Sequence, residues 1–298
     1  MHHLCNMKGR YLFPIVLCLL CACSEVIDFP RPTHEPELVL FGTMDQEQIS
    51  VFVTQTSGQQ DFILPEGIDD AQVKIESIDS TVFPIPNLEN GNYSTNIPSE
   101  TGKEYTLIVE KVGFPKILST VVLPPPVNIL SLEIQLLDSI TLDTNSARFS
   151  YQFDIQLEAQ NEEIEFYEVT SVFPAKLLVD SLLLDAEKEP TILPVQNANT
   201  IDVEYRGQFF VENIENNTIS FVGEFDLTSG EYLKEVQIEV KSSNLENYEH
   251  ANSLFNLRRL DDGELITVNP IELYSNVENG QGFFSIFQID TISQRIPR

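Results

Sequence analysis

From Glu37 onward the chain is written in a two-residue period, and that restricts most of it to sheets. Glu37-Leu-Val-Leu-Phe-Gly, Ile49-Ser-Val-Phe-Val-Thr and Ala71-Gln-Val-Lys-Ile-Glu are short alternating or β-branched runs. Asn92-Tyr-Ser-Thr-Asn-Ile, Glu104-Tyr-Thr-Leu-Ile-Val-Glu and Lys116-Ile-Leu-Ser-Thr-Val-Val-Leu continue the series. Turn signals fall between them at Ser57-Gly58, Glu66-Gly67, Asn90-Gly91 and Thr101-Gly102. Strands broken about every ten residues over roughly ninety residues predict a β-sandwich of immunoglobulin or transthyretin type spanning 37–123. The chain has no tryptophan and no cysteine beyond Cys23, so an antibody-type domain is excluded. Pro124-Pro125-Pro126 ends the unit, because successive prolines donate no ladder hydrogen bonds.

The remainder, 127–298, predicts a larger β-rich domain. Asn128 to Asp138, Arg148 to Ala159 and Ile164 to Phe173 are long alternating stretches, and Phe149, Tyr151, Phe153, Ile155 and Leu157 share one face. Strands of this length imply a broad sandwich or an open barrel. Further strands are expected over Thr191–Val195, Gly207–Val211, Thr218–Phe225 and Tyr232–Lys241. One short helix is predicted: Ser243 and Glu246 have capping-box spacing, and Leu245, Tyr248, Ala251, Asn252 and Phe255 follow at helical spacing. The fold class is therefore all-β with a single helix. Near the end, Tyr274-Ser-Asn-Val-Glu-Asn-Gly-Gln-Gly-Phe-Phe reads as a loop entering an apolar strand, where Gly280 and Gly282 allow positive φ or close backbone approach.

The first 22 residues have a different character. Lys8 and Arg10 precede an apolar run from Tyr11 to Ala22, and small residues close it before Cys23. This is the layout of a lipoprotein signal peptide spanning 1–22, with Cys23 as the acylated first residue of the processed chain. A dozen apolar residues fall short of the roughly 20 needed for a spanning helix. Residues 23–36, with Pro30, Pro32 and Pro36, read as an extended tether. All four cysteines lie within the first 23 positions, so no disulfide is expected in the body.

Charge and motif content exclude several function classes. The net charge is −29, and loss of Lys8 and Arg10 with the leader takes it to −31, a surface that repels nucleic acid. Only His34 and His250 follow the leader, and neither stands in HExxH spacing. GxSxG and P-loop motifs are absent, and Gly280-Gln281-Gly282 lacks a third glycine. The acidic pairs Asp69-Asp70, Glu162-Glu163 and Asp261-Asp262 read as solvated turns, and Asp143-Thr-Asn145-Ser-Ala147 breaks the pattern of a calcium loop. No metal, cofactor or catalytic residue is expected. Glycan capture lacks the tryptophan that sugar platforms favour, although Tyr and Phe can substitute.

The lipobox, the pattern Ala71-Gln-Val-Lys-Ile followed by Asn90-Gly91-Asn92-Tyr93 and Gly102-Lys-Glu-Tyr-Thr-Leu-Ile-Val, and the terminal Ser275-Asn-x-x-x-Gly280-x-Gly282-x-Phe284 together resemble the Bacteroidota lipoproteins called domain of unknown function 4249. Glu278-Asn279 departs from that pattern within the terminal loop. The resemblance implies an outer-membrane lipoprotein associated with a TonB-dependent receptor, facing either the periplasm or the cell surface, and it carries over no catalytic residue. The expectation is a non-catalytic accessory protein anchored by lipid on Cys23, with sheet edges or the terminal loop as partner surface. Tyr274, Asn276, Gly280, Gly282 and Phe283 are the candidate contact residues. A stand-alone glycan- or peptide-binding lipoprotein is the alternative, and a hydrolase would require His250 or a carboxylate pair to converge in a pocket.

Overall fold

Alternation becomes burial in the first strand: along β1 (Leu38–Met44), Leu38, Leu40 and Met44 are buried while Phe41 and Thr43 face outward. The computed structural model describes residues 35–57, 66–158, 166–179, 182–188, 191–194, 200–205, 208–212, 214–261 and 272–297. The leader, most of the tether and Cys23 lie outside them, as does the acidic group Glu162-Glu163-Glu165.

Two sheets form the first sandwich. One contains β1, β2 (Gln48–Gln55), β5 (Asn87–Glu89) and β6 (Asn92–Asn96); the other contains β3 (Gln72–Ser77), β4 (Val82–Ile85), β7 (Glu104–Glu110) and β8 (Ile117–Val122). Their inner faces enclose Leu40, Val51, Ile75, Tyr93, Leu107 and Ile117. Tyr93 is fully buried, and its hydroxyl donates to the Ile68 carbonyl at 2.7 Å and accepts from Ala71 N at 3.2 Å, which satisfies a polar group that burial would otherwise penalise. Asp69 accepts from Gly91 N at 2.7 Å and braces the β5–β6 turn, while Asp70 pairs with Lys111 just after β7.

The second sandwich packs β9 (Ile129–Thr141), β10 (Ser146–Leu157), β13 (Thr191–Pro194) and β16 (Thr218–Thr228) against a larger sheet. That sheet holds β11 (Phe166–Val179), β14 (Thr200–Tyr205), β15 (Gln208–Glu212), β18 (Glu235–Ser243) and β20 (Gln288–Arg295), with β12 (Leu182–Lys188) and β17 (Glu231–Leu233) alongside β11. Tyr151, Phe153, Ile155 and Leu157 of β10 are buried as predicted, Phe149 packs at the core margin, and Phe153 stacks on Phe221 with centroids 4.9 Å apart. The sheets form sandwiches, and no closed barrel is present among the described residues.

In β15 three successive residues, Phe209, Phe210 and Val211, are buried, because both faces of the sheet are covered there. Phe209 and Val211 enter the core, whereas Phe210 and Phe166 meet Tyr248 of helix α1 (Leu245–Asp261). The Phe166 and Tyr248 rings stack at 5.1 Å. The predicted capping residue is corrected: Asn244 accepts from Asn247 N at 3.1 Å, while Ser243 is buried as the last residue of β18.

A larger departure from the expected partition 37–123 and 127–298 concerns the chain's last strands. β19 (Gln281–Ile286) leaves the second sandwich and pairs parallel with β1, with Phe41 opposite Phe283, and so completes the first sandwich as an edge strand. Only Phe287 separates it from β20, which pairs with β18 in the second sandwich. The sequence reads as a loop entering an apolar strand here, but register with a strand far away in sequence leaves no local trace.

At that crossing point sits Gln288, 4% exposed. Its amide nitrogen donates to the Pro124 carbonyl at 2.7 Å and to Thr101 Oγ1 at 2.8 Å, and its amide oxygen accepts from Gln46 at 3.1 Å. The side chain therefore ties the proline linker, the first sandwich and the final strands at one buried point. Gln288→Ala would strand a carbonyl in a site water cannot easily reach, so a loss of about 2 kcal/mol in unfolding free energy is expected, read from denaturant titration.

Candidate functional site

The terminal loop nominated from sequence is a clasp. Asn276 donates from Nδ2 to the Phe284 carbonyl at 2.8 Å and accepts from Phe284 N at 2.9 Å. One side chain thus supplies the free edge of β19 with the pair of bonds a further strand would make. Glu278 N and O bond in turn to Leu118 O and N in β8, which belongs to the opposite sheet of the sandwich. Residues 276–284 therefore span the gap between the two sheets on that side.

Both glycines are needed for this seat. A Cβ on Gly280 would lie 2.6 Å from Ile117 Cγ2 and 2.8 Å from the Leu38 carbonyl oxygen. At Gly282 φ is +120° and a Cβ would fall 1.8 Å from the Leu40 carbonyl oxygen. Asn276, Gly280 and Gly282 are thereby placed in the docking of β19 rather than on an open surface.

Tyr274 and Phe283 occupy a different setting, formed where α1 meets β19. His250 stacks on Phe283 with centroids 3.9 Å apart and planes 5° from parallel, and Tyr274 meets the same Phe283 edge-on at 6.3 Å. Since a carbonyl can only accept, His250 Nδ1 donates to Tyr274 O at 3.0 Å, and Tyr274 N donates to Ser253 Oγ at 3.0 Å. Burial lowers the His250 pKa against a smaller opposing effect of the Tyr274 carbonyl, so the ring is neutral at pH 7. Burial, followed by the charges of Glu246 and Glu249, raises the Tyr274 phenol.

Beside this cluster the outer face of the first sheet forms a groove of about 620 Å³. Register places Phe283, Phe41 and Phe52 side by side on β19, β1 and β2, ending at Asn92 on β6. Two residues along, Ser285, Thr43, Ser50 and Ser94 make a parallel row of hydroxyls. Phe41 is 43% exposed, whereas Phe283 is covered on one side by His250. Among the lining residues there is no Asp, Glu, Lys or Arg, in a chain that carries 46 acidic residues. Sequence reading placed Phe41 and Phe52 on alternating strands without assigning them to a site; their outward parity, opposite to Leu40 and Val51, was the available signal.

Among the described residues the hydrogen bond of the His250 ring is to the Tyr274 carbonyl, and no group of three or more His, Cys, Asp or Glu could hold a metal ion. Asp143 accepts from Asn145 N at 2.6 Å and braces a turn. A more buried charge cluster lies elsewhere: Lys241 bridges Glu168 at 3.0 Å and Glu239 at 3.2 Å, and Glu168 also accepts from Gln208. Each member is paired on the strands that carry it, as a structural ion network requires.

The sequence profile of the family described as Domain of unknown function (DUF4249) matches residues 24–293, which takes in both sandwiches and the clasp. No curated protein matches. Among solved structures, the chain is similar to the adhesin InvE of Yersinia pseudotuberculosis at 13% identity and a TM-score of 0.20, covering 69% of this chain and 54% of the adhesin. It is similar to a protein of Corynebacterium diphtheriae described as membrane anchored at 12% identity and a TM-score of 0.21, with the same coverage. This chain thus spans about half the length of either. No helix among the described residues is long and apolar enough to cross a membrane.

Two outcomes follow from this geometry. Gly282→Ala forces either β19 or β1 to shift, and a destabilisation of about 3 kcal/mol or more is expected in chemical denaturation. The second concerns pH. The His250 pKa lies below its ordinary 6.5 when folded, so above that value the ring is neutral in both states. As pH falls below about 6.5 the unfolded chain takes up the proton more readily, and the folded state loses stability. Between about pH 7.5 and pH 5 the melting temperature of the native protein should therefore fall further than that of His250→Gln, measured by circular dichroism.

Proposed function

This chain belongs to the DUF4249 family, and from that premise we propose that it is a non-catalytic, lipid-anchored accessory protein of an outer-membrane TonB-dependent transport complex. The observation that carries the reading is the edge strand β9. It is 13 residues long, pairs among the described residues with β10 alone, and exposes Leu130, Leu136, Leu137 and Ile140, with Leu142 just beyond its end. A long edge with exposed aliphatic side chains invites pairing with another chain; the bulges at Leu130 and Leu137 and the charges of Glu133 and Asp138 interrupt this edge but leave those side chains uncovered. Here a receptor segment would cover it, while acyl chains on Cys23 hold the body at the membrane.

A second reading, direct capture of a glycan or peptide by the protein acting alone, is favoured by the aromatic row Phe283, Phe41 and Phe52 beside the groove. The two readings use different surfaces.

Labelled palmitate should enter the native protein and not Cys23→Ala. From outer membranes solubilised in mild detergent, the native protein should co-purify with a TonB-dependent receptor. The double variant Leu137→Glu with Ile140→Glu should keep its circular dichroism spectrum and melting temperature yet lose the receptor. Recovery of no receptor by the native protein, or equal recovery by the double variant, would remove the accessory reading.

A further inference from the structure

We infer that the groove on the outer face of the first sheet binds a neutral oligosaccharide, with Phe41 and Phe52 as stacking platforms and the Thr43, Ser50 and Ser285 hydroxyls beside them as polar contacts. The inference rests on the direct-capture reading and names its ligand class. Three observations select a sugar.

The first is charge. The full chain carries −29 and would repel a polyanion, yet the groove lining presents no carboxylate with which a cation could pair. What remains is an uncharged ligand.

The second is the juxtaposition of the two rows. Three rings stand on adjacent strands across two strand spacings, about 10 Å, and a row of hydroxyls lies alongside them, about 7 Å further along the strands. A pyranose has one face of C–H bonds, which suits the electron-rich face of an aromatic ring, and a rim of hydroxyls that both donate and accept. Asn92 and Gln48 add amide donors and acceptors at the far side of the groove. Gln48 already donates to Ser94 at 2.9 Å, and Ser94 donates to the Ile49 carbonyl at 2.7 Å, so the polar side is held in place before a ligand arrives. Phe283 is clamped by His250, so that ring has little side-chain entropy left to lose on binding.

The third separates a sugar from an extended peptide. The groove lies on the face of β19, β1, β2 and β6, whose backbone groups are engaged with one another in the sheet ladder. A bound strand gains its main-chain hydrogen bonds at an edge, and a face offers it side chains alone.

The test uses the full lipid-bearing protein in detergent, titrated by calorimetry with neutral gluco-, manno-, galacto- and xylo-hexaoses, with polygalacturonate and with a pool of uncharged unstructured peptides. At least one neutral hexaose should bind, and Phe41→Ala and Phe52→Ala should each weaken it roughly tenfold while leaving the melting temperature within a few degrees, since Phe41 is exposed and Phe52 half-buried on the outer face. Equal affinity in both variants, or binding of polygalacturonate in place of the neutral sugars, overturns the proposal. Peptide binding that Phe41→Ala abolishes also overturns it, and leaves the direct-capture reading standing. Silence toward every probe removes both.

Discussion

The structure depends on one strand pairing made at long range: β19 lying parallel to β1, with backbones so close that only glycine fits at 282. A parallel pair cannot be closed by a tight hairpin and needs an intervening crossover. In this chain the intervening segment holds the rest of the first sandwich and every strand of the second except β20, and Gln46 and its partner Gln288 stand 242 positions apart. Phe284 and Ile286, delivered by this return, are fully buried among residues of the first sandwich. Two sandwiches that local periodicity presents as successive are therefore interlocked, and the core of the first is finished with side chains inserted between the last two strands of the second, β18 and β20.

The same return positions the surface features. Helix α1 uses Tyr248, Ala251 and Phe255 against the second sandwich, while His250, from another side of the same helix, covers Phe283 on β19. The groove consequently has a floor of sheet and a wall of helix, and its aromatic row is completed by a residue that the clasp brings in. Tyr274 and Asn276, two positions apart, act at the two ends of this arrangement: one carries the carbonyl that orients His250, the other caps the edge of β19.

Much of the fold was legible in the residues because burial on one face writes itself as alternation. The run Tyr151, Phe153, Ile155 and Leu157 named its own strand and its buried side. So did the turn at Asn90-Gly91, where both residues have positive φ. Short strands such as β4 and β5 carry too few alternations to register, and Pro84 within β4 reads against a strand. The cap shifted by one residue, from Ser243 to Asn244, because both residue types cap well and only the end of β18 decides between them. Gly280 and Gly282 announced close backbone approach but not its partner, since Leu38 and Leu40 have no sequence relation to them. The groove was the least legible feature. Phe41 looks like any outward residue until β2 and β19 set Phe52 and Phe283 next to it.

The parallel pairing also bears on how the polypeptide reaches its native state. Synthesis proceeds from the amino end, and at ordinary elongation rates β19 follows β1 by on the order of tens of seconds. Throughout that interval the first sheet has an open edge along Leu38–Met44, and its interior lacks Phe284 and Ile286. High contact order of this kind slows folding and leaves sticky intermediates exposed. A nascent chain with such a delay would benefit from an escort that shields β1 until its last-made neighbour arrives.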